Sequence, residues 1–183
     1  MAAKKKGAGG SLTRSQVVTI RLDPKLRYLA ELAALKQRRT LSSYIEWAVQ
    51  ESLKNVHLTE GTGYNNDYGC TVHDAADMLW DVDAPDRFAK LALHYPELLT
   101  HEEQIKWKLI RENGYLWKGR MTSGRWTWQV QEETLILSRL REYWEEFSAV
   151  AEGNEDASVL PKWNGSTEVE APPVPDPSND VPF

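Results

Sequence analysis

Apolar and polar positions change period several times along the chain, and each change marks an element. In Val17–Leu22 (VVTIRL), Val18, Ile20 and Leu22 alternate with Val17, Thr19 and Arg21. A period of two in a run rich in β-branched residues predicts a six-residue strand with one apolar face. Asp23-Pro24 stops the strand and opens a helix, Asp as its N-cap and Pro at its first position. From Lys25 to about Gln37 the spacing switches to three and four, with Leu26, Leu29 and Ala33 on one stripe and Leu32 and Leu35 beside it. That is an amphipathic helix. Arg38-Arg39-Thr40 breaks the pattern, and Thr40 caps a second helix running to about Leu53 with Leu41, Tyr44, Ile45, Ala48, Val49 and Leu53 as its apolar face.

The rest of the chain reads differently. Residues 56–71 hold several glycines and asparagines and are expected to be a linker. From 72 to 150 helical periods dominate, over Val72–Trp80, Pro85–His94, Thr100–Arg111 and Gln129–Val150. Thr100 followed by Glu103 spells a capping box. Between the last two helices GYLWKGRMTSGRWTWQ predicts a turn or short hairpin. Residues 1–14 read as a flexible basic arm. Residues 151–183 read as an acidic, proline-rich tail too poor in apolar surface to fold.

A lone strand leaves both edges unpaired, and 45 residues make too small a core. Both problems vanish if two copies pair their strands antiparallel and interlock their helices. The expected shared core is Val18, Ile20, Leu22, Leu26, Leu29, Ala33, Ile45, Ala48 and Val49. The other face of the paired ribbon then presents Val17, Thr19 and Arg21 from each chain. A two-stranded ribbon fits the major groove of DNA, where Arg reads guanine, Thr bonds either partner and a Val methyl meets thymine.

Residues VVTIRLDPKLRYLAELAALKQRRTLSSYIEWAVQESL resemble a ribbon-helix-helix DNA-binding domain of the Arc/MetJ/CopG superfamily. The resemblance covers about 40 residues. It implies base reading by Val17, Thr19 and Arg21, and a phosphate clamp at Thr40, Ser42 and Ser43, where free N–H groups and the helix dipole favour an anion. Arg38 departs from the glycine often found at the inter-helix turn, so a positive φ there would strain it. Arg38 and Arg39 are also candidates for phosphate contact. The implied fold is mainly α: an intertwined ribbon-helix-helix dimer, one short strand plus two helices per chain over residues 15–55, with an appended Trp-rich helical domain over 72–150.

Charge sharpens this picture. The whole chain carries 22 basic and 27 acidic side chains, net −5, but in blocks. Residues 1–56 hold 11 basic and 4 acidic side chains, a net of +7; residues 57–105 hold 2 and 10, net −8. Residues 106–128 hold 6 and 1, net +5, and residues 129–183 hold 3 and 12, net −9. Phosphate binding follows local field rather than total charge. Lys4, Lys5 and Lys6 are candidates for salt-dependent phosphate contact, or are a solvated tail. Lys108, Arg111, Lys118, Arg120, Arg125 and Trp126 lie among tryptophans, a mixture that suits unstacked bases or a protein partner. Tryptophans at this density also make the core of a small helical domain.

The last residues, Asp180, Val181, Pro182 and Phe183, resemble the acidic C-terminal tip of bacterial single-stranded-DNA-binding proteins. The resemblance implies a terminal ring in an apolar pocket, its carboxylate on a cation, and host replication or repair proteins as partners. Catalytic chemistry is poorly supplied. HDAAD (residues 73–77) has no metal-ligand spacing, His57, His94 and His101 have no evident partners, and no nucleophile elbow or phosphate loop is present. The one cysteine, Cys70, excludes an internal disulfide and a Cys-based metal site. No run approaches the roughly 18 apolar residues of a membrane span, and the basic N-terminus is not followed by the apolar segment of a secretory signal.

The expectation is therefore a cytoplasmic, non-enzymatic homodimer without cofactor or metal. It binds double-stranded DNA as a repressor of phage, plasmid or mobile-element type. Its alternative is a DNA-bound adaptor or inhibitor, such as a relaxosome accessory or a decoy of replication and repair proteins.

Overall fold

The computed structural model describes residues 17–64 and 69–163. Among them the chain is mainly helical, with seven α-helices and two small two-stranded sheets.

The head contains helices α1 (Pro24–Lys36) and α2 (Leu41–Leu53). The Asp23 side chain accepts from the N–H groups of Lys25 and Leu26, both at 3.0 Å, and Pro24 opens the helix as expected. Thr40 Oγ1 accepts from Ser43 N–H at 3.2 Å and caps α2. Arg38 stands at φ +55° in the turn between the helices. Its N–H donates to Leu35 O, and the Arg39 N–H reaches back to Ala34 O at 2.9 Å. That pair of bonds is the Schellman closure of α1, with Arg where glycine is usual.

Residues 17–22 form no strand in the single chain. A strand is a pairing, and nothing in one copy pairs with it. The helices pack on each other but bury little: Ala34, 3% exposed, is the one buried residue among 17–55. Val17, Val18, Ile20, Leu26, Leu29, Leu32, Leu35 and Val49 all remain exposed.

Three expectations give way downstream. Residues 56–71 hold a hairpin, β1 (His57–Glu60) against β2 (Gly69–Thr71), where a linker was expected. The helix expected over Val72–Trp80 shrinks to α3 (Ala76–Leu79), because Asp74 turns back to accept from Thr71 N–H (3.0 Å) and Thr71 Oγ1 (2.6 Å). The helix expected over Gln129–Val150 splits into α6 (Leu137–Glu142) and α7 (Trp144–Ala151), broken at Tyr143.

Helices α4 (Ala84–His94) and α5 (His101–Glu112) follow the sequence closely, and the capping box at Thr100 and Glu103 forms. With α6 and α7 they enclose Phe88, Ala92, Trp107, Ile110, Leu116, Trp117, Leu140 and Phe147. Trp117 Nε1 donates to Ile110 O at 2.9 Å, so this buried indole is satisfied. The chain does not leave the domain at 151. Leu160 packs on the core, Asn113 Nδ2 donates to Pro161 O (2.9 Å), and Trp163 stacks on Trp126 at 4.5 Å. These apolar and ring contacts order residues 152–163, which net composition hides. No helix among the described residues is long and apolar enough to cross a membrane.

Candidate nucleic-acid interface

Val17, Thr19 and Arg21 stand fully on the surface, Val17 at 97% exposure. Arg21 has no ion-pair partner among the described residues. At the start of α2 the arrangement differs from the expectation of free donors. Ser43 N–H is taken by Thr40, so Leu41 and Ser42 carry the first-turn N–H groups that find no partner among the described residues. Arg38 is exposed. Arg39 lies with its guanidinium 5.4 Å from the Trp47 ring centroid, and Trp47 in turn tilts against Tyr44. Arg39 is thus held flat on α2 beside the Thr40 cap.

The basic, Trp-rich segment forms a second feature. Strands β3 (Gly119–Thr122) and β4 (Arg125–Trp128) pair antiparallel through a Ser123-Gly124 turn, both residues at positive φ. The register sets Gly119 opposite Trp128 and Met121 opposite Trp126 on one face; Arg120 opposite Thr127 and Thr122 opposite Arg125 make the other. The first face lies on the domain. Trp126 Nε1 donates to Gly114 O (3.1 Å) and Trp128 Nε1 to Arg111 O (3.0 Å). A Cβ on Gly119 would sit 2.4 Å from Thr127 O and 2.9 Å from two atoms of the Trp126 ring, so only glycine lets the ring lie down.

Base stacking is therefore not what these tryptophans are placed for. Trp107 and Trp117 are core, and Trp126 has Gly119 against its ring and Trp163 stacked on it. Of the cations, Lys118 Nζ donates to Glu133 O at 3.2 Å, and Lys106 lies 4.5 Å from the Trp144 centroid. Lys108, Arg111, Arg120 and Arg125 are exposed and have no ion-pair partner among the described residues.

A buried charge pair escaped the sequence reading. Asp86, 1% exposed, accepts from Arg141 Nε at 2.9 Å and again from its terminal nitrogen, and Asp83 meets the same guanidinium at 3.2 Å. The two residues lie 55 positions apart, so no local spacing announces them. Asp86 holds the Arg141 guanidinium even more firmly protonated than usual. Carboxylate atoms of Asp81, Asp83 and Asp86 come within 4.8 Å of one another, but Lys90 (2.8 Å from Asp81) and Arg141 already answer their charge. His73, Asp74 and Asp77 show no such grouping; Asp74 is committed to Thr71, which keeps its carboxyl below the usual range.

Lys4, Lys5 and Lys6, and the tip Asp180, Val181, Pro182 and Phe183, lie outside the described residues. No family model matches the chain, and neither does any curated protein or solved structure.

Proposed function

We propose that the protein is a sequence-specific double-stranded DNA-binding protein that works as a ribbon-helix-helix homodimer, acting as a transcriptional repressor of phage, plasmid or mobile-element type in a bacterial cell. One observation carries the reading: a capped helix pair follows an exposed alternating segment, and both keep their apolar side chains outside. Helix α1 offers apolar side chains on almost every side, with Leu26 and Leu29 on one stripe, Tyr28, Leu32 and Leu35 on another, and Ala34 against α2. Lys25, Arg27, Glu31 and Lys36 share the helix, but apolar side chains left uncovered on more than one side call for an interior to receive them. A second copy supplies that interior, and it pairs Val17–Leu22 at the same time.

In the paired ribbon Val18, Ile20 and Leu22 turn inward, and Thr19 and Arg21 meet base edges. Arg21 gives two hydrogen bonds to guanine O6 and N7. The exposed α2 start, with Leu41 and Ser42 N–H groups and Arg38 beside them, holds a backbone phosphate and fixes the register.

The test is selection of bound sequences from a random duplex pool with the full-length protein, repeated with Arg21→Ala. The expected result is a defined motif for the wild type and a loss of about 1–3 kcal/mol of discrimination at one base pair of each half-site for the variant. An unchanged motif would show that the ribbon does not read DNA.

A second reading, a DNA-bound adaptor, is favoured by the separate core of residues 84–151 and its clasp on Trp163, which a repressor head does not require. It adds a protein partner to the DNA-bound dimer and leaves the DNA step in place.

A further inference from the structure

We infer that the outward face of the β3–β4 hairpin, built by Arg120, Thr122, Arg125 and Thr127, is a second contact with duplex DNA that grips backbone phosphates away from the bases read by the head. The inference rests on the DNA-binding reading above for its ligand, and on its own observations for the site.

Commitment of the other side chains comes first. Elsewhere in the domain, Lys106 lies over Trp144, Lys118 donates to a carbonyl, and Lys90 and Arg141 pair with Asp81, Asp83 and Asp86. Arg120 and Arg125, like Lys108 and Arg111 of α5, make no such contact among the described residues, and they share one face of the hairpin. Among the described residues no carboxylate pairs with either guanidinium, so this small face of a net-acidic chain carries a local positive field.

Rigidity comes second. Thr127 Oγ1 donates to Arg120 O (3.1 Å) and lies 3.1 Å from Thr122 Oγ1, so the hydroxyls brace the face across the strands. Underneath, the indoles of Trp126 and Trp128 bond to Gly114 O and Arg111 O. The register makes Arg120 and Arg125 diagonal neighbours, whose backbones lie about 7–8 Å apart, close to the step between successive phosphates of one strand.

The ligand class follows from what the face lacks. It shows no free aromatic ring, because Trp126 is covered by Trp163 and Gly119, so it cannot stack the bases of a single strand. Exposed cations on a braced pair of strands, without rings, match the backbone of a duplex.

The experiment measures affinity of the full-length protein for duplex DNA across salt concentrations, with R120Q/R125Q, with Thr122→Glu and with Arg21→Ala. Each phosphate contact contributes about 0.9 to the slope of log affinity against log salt, so R120Q/R125Q should flatten it by roughly 2 per bound chain. Between 50 and 200 mM salt the wild-type advantage over that variant should shrink about tenfold per bound chain, or about a hundredfold for the dimer. Thr122→Glu should weaken binding at low salt, and tryptophan fluorescence of both variants should match the wild type. A wild-type slope in R120Q/R125Q overturns the inference and leaves the face to an acidic protein or to solvent. Arg21→Ala keeps the two readings apart: it should lose sequence preference and keep the slope. If the head reads no sequence at all, the slope comparison on random duplex still decides the hairpin.

Discussion

Arg38 sits at φ +55°, where a side chain with a Cβ is strained and glycine is not. The turn needs that conformation, because both closing bonds of α1 run through it. Replacing Arg38 with glycine removes the strain but loosens the unfolded chain, so the two effects oppose each other. With the left-handed conformation already imposed by the turn, strain relief wins. Arg38→Gly should raise stability by about 0.5–1 kcal/mol in thermal denaturation. The same variant should weaken DNA binding if the side chain reaches a phosphate, a trade of stability for affinity at one position. The conditional strain at Arg38 was legible in the sequence because its place after α1 is fixed by the helix period. Asp86 and Arg141 were not legible, since a contact across 55 residues leaves no periodic trace.

At the scale of elements, caps and periods carried most of the information. Asp23-Pro24, Thr40 and the Thr100–Glu103 box each start a helix where their chemistry dictates. Short β elements were harder. The hairpin at residues 57–71 hides in a glycine- and asparagine-rich stretch, because four- and three-residue strands give alternation too little length to register. Residues 152–163, the first part of the expected tail, pack on the domain against their mean composition: Leu160 and Trp163 supply the anchors that the surrounding acidic and proline residues dilute. Trp163→Ala should therefore cost about 1 kcal/mol of domain stability, and Trp126 fluorescence should shift red as its stacked face opens to water. An unshifted spectrum would place Trp163 off the ring.

For the whole molecule, the decisive contrast is between a middle domain with a filled core and a head with almost none. Eight aliphatic side chains stay exposed in the 37 residues from Val17 to the end of α2. Burying each would supply roughly 1.5–3 kcal/mol, the gain the proposed dimer would realise. Unfolding of the head should therefore depend on protein concentration, with a melting temperature that climbs from low to high micromolar protein, while the middle domain melts at a fixed temperature. A head transition independent of concentration would rule out shared folding. The deficits that lead to the proposed dimer, an unpaired alternating segment and an underfilled core, are legible in the sequence and persist in the single chain; the packing of the domain at 84–151 is not, because its contacts join residues far apart in the chain.

The stack of Trp163 on Trp126 also fixes a point of departure. Residues 164–183 carry four acidic and no basic side chains, and twenty residues reach at most about 70 Å from that anchor. The anchor lies beneath the very hairpin whose outer face is cationic. Under the proposed DNA-binding reading, four carboxylates tethered to that anchor would compete with nucleic acid from within the molecule, at a concentration that dilution cannot lower. Weak encounters with DNA would then be screened off, and a site meeting both the proposed ribbon and the proposed hairpin grip would displace the rival.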